Sequence, residues 1–132
     1  MVESLSLAVV GAHLVGQPLH HQLSERDASL VARTVTAPIY RMYALSTTPP
    51  KPGMVRVAAG EAGAAIEVEV WAMAPAHFGT FVDAVPAPLA IGRLVLGDGT
   101  DVAGFVVEPV AVRGALDITR FGGWRAYLAS LS

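Results

Sequence analysis

No cysteine occurs anywhere in the chain, which removes disulfides, thiolate nucleophiles and cysteine-held zinc together and fits a cytoplasmic protein. Charge is scarce as well: charged residues supply 15% of the chain against a hydrophobic share of 53%, with a formal net charge of −2. The nine Lys and Arg residues are scattered singly, so no cationic field exists for phosphate-driven binding, and nucleic acid is excluded as an expected partner. Such a thinly charged surface points instead to protein contacts. Long apolar runs are missing too. None approaches the roughly 18–20 residues that span a bilayer. The run Leu5 to Val10 follows Glu3 with no basic segment before it, so neither a signal peptide nor a membrane anchor is expected. What remains is a chain of 132 residues, the size of one domain, 1–132, with enough apolar side chains for one core.

Patterning within that domain favours strands. Ser6 to Val10 reads as a buried strand that opens at Gly11 into a loop running to Pro18. Leu30 to Thr36 and Tyr40 to Leu45 are rich in β-formers and read as two paired strands. Three prolines within Pro49 to Pro52 predict a loop over Ser46 to Gly53, followed by a strand at Met54 to Ala58. Ala65 to Met73 is the clearest strand, its period of two placing Ile66, Val68 and Val70 on one face and Glu67, Glu69 and Trp71 on the other. Pro75 suits a helix start, and Phe78, Phe81, Val82 and Val85 recur at helical spacing up to Pro86. Ile91 to Leu96 and Val102 to Val107 flank Gly97-Asp98-Gly99, a hairpin signal, and the chain ends on a helix from Trp124 to Leu131. The expected fold class is α+β: one small mixed sheet, closed into a barrel or not, with short flanking helices.

Several motifs carry a family resemblance. The run Gly11-Ala12-His13-Leu14-Val15-Gly16-Gln17-Pro18-Leu19-His20-His21-Gln22-Leu23 resembles the signature opening the C-terminal domain of allophanate hydrolase, an enzyme of urea breakdown, with His20 where that family usually has Asn. Tyr40 to Leu45, Pro52 to Val57 and Ile66 to Trp71 follow in matching order, and Asp117 to Leu128 is the most specific match. The resemblance covers about nine-tenths of the chain and implies a γ-glutamyl cyclotransferase-like fold. It does not imply cyclotransferase activity, because Pro86 follows Val82-Asp83-Ala84-Val85 where a cyclotransferase carries its catalytic Glu. Nor does this chain hold the Ser-cisSer-Lys amidase triad. It is therefore expected to be a stand-alone version of the C-terminal domain. What the resemblance leaves is a small carboxylate or carbamate ligand and the breakdown of N-carboxycarbamate to carbon dioxide and ammonia, a hydrolase or lyase step at a C–N bond.

The candidate site lies in the glycine-flanked loop. By resemblance His21 is the expected acid/base, since imidazole titrates near neutrality, with His13 and Gln22 orienting it; the alternative is that His21 and Gln22 merely tie the loop to the sheet. Backbone amides of Gly11, Ala12, His13 and Leu14 would form a concavity for a carboxylate, which Tyr40 would also bond unless it is a buried sheet tyrosine. His20 is expected to be exposed. Glu67 is expected on a solvated face, and Glu69 is kept as a pocket candidate. Adjacent His20 and His21 point apart in an extended chain and no carboxylate stands nearby in sequence, so no metal and no cofactor are expected. An alternative function is a non-catalytic accessory module that binds a separately encoded amidase or forms a homodimer.

Overall fold

The computed structural model describes residues 3–132. Eight strands and three α-helices follow one another as β1 (Leu5–Val9), α1 (His21–Ser24), β2 (Ser29–Val35), β3 (Tyr40–Leu45), β4 (Lys51–Arg56), β5 (Glu67–Met73), α2 (Pro75–Asp83), β6 (Leu89–Val95), β7 (Asp101–Val107), β8 (Leu116–Asp117) and α3 (Trp124–Ser130). Two 3₁₀ turns, Pro109–Val112 and Thr119–Phe121, link the last elements. The strands form a five-stranded sheet of order β2-β5-β1-β7-β6 and a three-stranded sheet of order β4-β3-β8. Both are open. The fold is mixed α+β as expected, without barrel closure.

Local chemistry explains the elements that sequence predicts well. In the β6–β7 hairpin, Gly99 takes a positive φ of 89° and Asp98 Oδ1 accepts from the Thr100 amide and hydroxyl, so the turn satisfies its own polar groups. Pro75 opens α2, where its missing N–H costs nothing, and the helix stops at Asp83 ahead of Pro86. Along β5 the alternation holds, but both faces are covered: Val68 and Val70 are buried on one side, and Glu69, Trp71 and Met73 on the other.

Pairing departs from the expectation. β2 lies antiparallel to β5, while β3 pairs with β4 and β8, so the two neighbouring strands Leu30 to Thr36 and Tyr40 to Leu45 belong to different sheets. The proline-rich stretch is only partly a loop, because Lys51, Pro52 and Gly53 are the first half of β4, opposite Leu45, Ala44 and Tyr43. β4 is an edge strand, and an edge leaves a flank where a missing N–H removes no ladder bond.

β1 joins the large sheet's two halves, antiparallel to β5 and parallel to β7. Leu7, Ala8 and Val9 are wholly buried there with Leu23, Met42, Ile66, Leu94 and Ile118. Each large member contributes roughly 1.5–3 kcal/mol of burial. The carboxyl end of β1 releases the chain into the glycine-flanked loop, which crosses close to β4: a Cβ on Gly11 would lie 2.1 Å from Pro52 Cδ. That contact sets the site.

Candidate functional site

Residues 11–20 wind into a series of short turns. The Leu14 amide donates to Gly11 O at 3.0 Å, the Gln17 amide to Leu14 O at 3.0 Å and the Leu19 amide to Ala12 O at 2.8 Å. Turns of this kind direct His13 inward, where it is 6% exposed, stacked on Phe105 at 5.0 Å and tilted against Phe81 at 5.1 Å. Its Nε2 lies 2.8 Å from Gln22 Oε1, so Nε2 carries the hydrogen and Nδ1 keeps its lone pair. Gln22 is held in turn by α1, whose backbone at that residue accepts Arg26 Nη1 at 2.8 Å.

A cavity of about 210 Å³ opens beside this pair, lined by His13 and Gln22 together with Lys51, Thr48, Leu89 and Phe105. A narrower recess continues it along Gly11 and Ala12, again against His13 and Lys51. Lys51 is 7% exposed and makes no ion pair among the described residues. A cation that borders the cavity and has no carboxylate partner among the described residues favours an anion in the space it faces. The electrostatics of the cavity answer to that cation. Burial, opposed by the Gln22 bond and reinforced by Lys51, His21 and His20, lowers the His13 pKa from its ordinary 6.5 to about 4. His13 is thus neutral at pH 7.

The predicted residues separate into two groups. Gly11, Ala12, His13 and Gln22 line the cavity or its recess, whereas Leu14 lines a different pocket behind the loop. His21 is exposed on α1, its Nδ1 donating to the Pro18 carbonyl at 3.1 Å, and is not among the cavity-lining residues. His20 is half-buried instead of exposed, packed on Trp71 at 5.0 Å while its Nδ1 donates to His13 O at 2.9 Å. Tyr40 lies away from the loop, 1% exposed in β3, with its hydroxyl accepting the Val95 amide at 2.9 Å. It is the buried sheet tyrosine of the two alternatives. Among the described residues no three His, Cys, Asp or Glu side chains converge on a point that would hold a metal.

One residue that matters here is missed by sequence reasoning and another is underweighted. Lys51 is the chain's single lysine, set between Pro50 and Pro52, and its isolation in a proline-rich stretch is the one signal for it. Glu69, kept only as a minor candidate, is 1% exposed and sits behind the loop: its Oε1 accepts the Val15 amide at 3.0 Å and Trp71 Nε1 at 3.2 Å, and its Oε2 accepts Arg125 Nη2 at 3.0 Å. Burial opposes its ionisation, yet the Val15, Arg125 and Trp71 donors outweigh that and hold its carboxyl below the ordinary range. Glu67, by contrast, is exposed as expected.

Comparison with known proteins places this geometry. Residues 5–129 match the model of the allophanate hydrolase C-terminal domain. The urea amidolyase of Saccharomyces cerevisiae is 42% identical over 132 residues, covering 97% of this chain and 7% of that protein. The chain therefore spans less than a tenth of the length of the curated relatives it matches. Kluyveromyces lactis allophanate hydrolase superposes with a TM-score of 0.93 at 38% identity, over 99% of this chain and 22% of the other. A uropathogenic E. coli-specific protein superposes at 0.87 with 33% identity, over 97% of this chain and 98% of its own.

Proposed function

This chain belongs to the allophanate hydrolase C-terminal domain family, and on that premise we propose that the cavity between the residue 11–14 loop and β4 binds a small carboxylate or carbamate in urea and allophanate metabolism. The observation that carries the reading is Lys51, a largely buried side chain whose ammonium has no ion-pair partner among the described residues and which lines the same cavity as His13. One carboxylate of the ligand meets Lys51, and the backbone of Gly11 and Ala12 borders the recess beside it.

The reaction suited to the site is the breakdown of N-carboxycarbamate. Protonation of its nitrogen lets the C–N electron pair stay on nitrogen while carbon dioxide departs, leaving carbamate; a second protonation releases ammonia and a second carbon dioxide. The reading moves the proton-handling role from His21 to His13, since His13 is the imidazole that lines the cavity. A bound dianion offsets the repulsion from Lys51 and favours imidazolium, so ligand binding itself supplies the acid. Gln22 holds the ring in place.

Malonate, in which CH₂ replaces the NH of N-carboxycarbamate, is a stable probe. Titrated into the protein and followed by calorimetry, it is expected to bind, and Lys51→Met is expected to weaken it roughly 10- to 100-fold, the loss of one charge-assisted contact. Equal affinity in the variant removes the site assignment. A second reading, an accessory or dimerisation module beside a separately encoded amidase, draws on the edge strand β2, where Leu30 and Val31 are exposed. Light scattering with and without an amidase tests it; a monomer that ignores the amidase ends it.

A further inference from the structure

Behind the site loop, on the side away from Lys51, a second cavity of about 250 Å³ is lined by Leu14, Arg33, Glu67, Glu69 and Arg125. Glu69, Arg33 and Arg125 are occupied with one another and with the backbone of a single residue. Val15 donates its N–H to Glu69 Oε1 at 3.0 Å and accepts Arg125 Nη2 on its carbonyl at 2.8 Å, while the same Nη2 reaches Glu69 Oε2 at 3.0 Å. Trp71, two residues along β5 and on the same face, donates its indole N–H to Glu69 Oε1 at 3.2 Å and carries the His20 ring on its surface. His20 then bonds the carbonyl of His13 at 2.9 Å.

From this arrangement we propose that Glu69 and Arg125 are positioning residues for the site, gripping the backbone N–H and C=O of Val15 so that the backbone around His13 holds one geometry against Lys51. The inference rests on the reading that the His13–Lys51 cavity is the ligand site, but the grip itself stands on contacts that need no ligand. Three features support a positioning role over a merely structural one. Val15 is exposed and adds nothing to the core, so anchoring both its backbone N–H and its carbonyl serves the loop and not burial. Glu69 comes from β5 in the middle of the chain and Arg125 from α3 near its end, and both reach the backbone of Val15, 54 and 110 residues away in sequence. The loop's other backbone bonds run within residues 11–22, so they shape the turns without fixing them to the sheet. Glu69 supplies that attachment.

The test pairs Glu69→Gln with Arg125→Met. In the first, the amide nitrogen that replaces one carboxylate oxygen has no acceptor in Arg125. The second removes a side chain that is 40% exposed and is expected to leave the fold intact. Hydrogen exchange at the Val15 amide, the titration midpoint of the His13 ring by NMR and malonate affinity are measured on the same samples. Both variants are expected to speed Val15 exchange at least tenfold, move the His13 midpoint from about 4 toward 6.5 and weaken malonate, with amides of β7 unchanged. Arg125→Lys is expected to recover part of each effect. Unchanged Val15 exchange and an unchanged His13 midpoint in Arg125→Met overturn the proposal, whatever Glu69→Gln does. A wild-type protein that ignores malonate while the variants still shift Val15 and His13 overturns the ligand reading of the cavity and leaves the positioning role standing.

Discussion

At the scale of single residues, His13 is both the best candidate for chemistry and a source of acid sensitivity. Its folded pKa of about 4 lies below the 6.5 of an unfolded histidine. On acidification the unfolded chain takes up a proton near pH 6.5 while the folded chain refuses it until about 4, so stability is lost as pH falls through that window. The full span is worth about 3 kcal/mol. Urea denaturation followed from pH 7 to pH 4 is expected to show this decline, and His13→Gln, which does not titrate, is expected to flatten it by about that amount. A variant with the wild-type slope shows that the ring is not buried neutral. Glu69 acts further down: its lowered pKa contributes stability that is complete above its ordinary 4.5 and is lost as pH falls below that value. Sequence made His13 and Gln22 legible, because glycines mark the loop and the two residues are close along it. His21 lies outside this cavity, and Lys51 left little sign in the sequence. Which imidazole enters the cavity depends on the turns Gly11 to Leu14 and Leu14 to Gln17, and Lys51 reaches it only because β4 passes under the loop.

Elements supply that crossing, and Gly11 is where it is tightest. Loop and edge strand approach so closely that any side chain at Gly11 overlaps the Pro52 ring, with virtual Cβ contacts of 2.1 and 2.5 Å. Pro52 sits between Lys51 and Gly53 in a strand paired along its whole length with β3, so it cannot yield without moving Lys51. Gly11→Ala is therefore expected to cost about 1–3 kcal/mol by thermal or denaturant unfolding, and to weaken malonate binding as well. Gly16→Ala in the same loop makes an informative control: no atom lies within 4 Å of its added methyl, and its cost arises from the positive φ of 84° alone. If the two variants lose binding equally, steric contact with β4 is not what shapes the site. Elements defined by local chemistry, such as β3, the β6–β7 hairpin and α2 with its opening proline, were legible from sequence. The strand character of Lys51 to Gly53 was not, because composition cannot say that β4 lies at an edge where prolines are tolerated.

The whole molecule is two open sheets bolted together, and the bolt is a residue whose role sequence left open. Tyr40 begins β3 in the small sheet, and its hydroxyl accepts the amide of Val95, the last residue of β6 at the far edge of the large sheet. Its own backbone adds a bridge to Ala64 just ahead of β5, while Thr36 bridges to Leu96 just beyond β6. Such contacts between elements distant in sequence leave no local pattern, which is why β2 and β3 read as partners although each pairs elsewhere. The placement separates two roles for Tyr40. If it served the ligand, Tyr40→Phe would weaken malonate binding and leave stability nearly unchanged. Because it serves the joint, the ring fills the same volume in the variant, and the loss is the acceptor for the Val95 N–H, worth about 1–3 kcal/mol. Tyr40→Phe is thus expected to lower Tm by several degrees and to speed exchange at the Val95 amide, while malonate affinity stays within twofold of wild type. A variant with wild-type Tm would show that the two sheets are held by their apolar interface alone, through side chains such as Met42, Met54 and Val107.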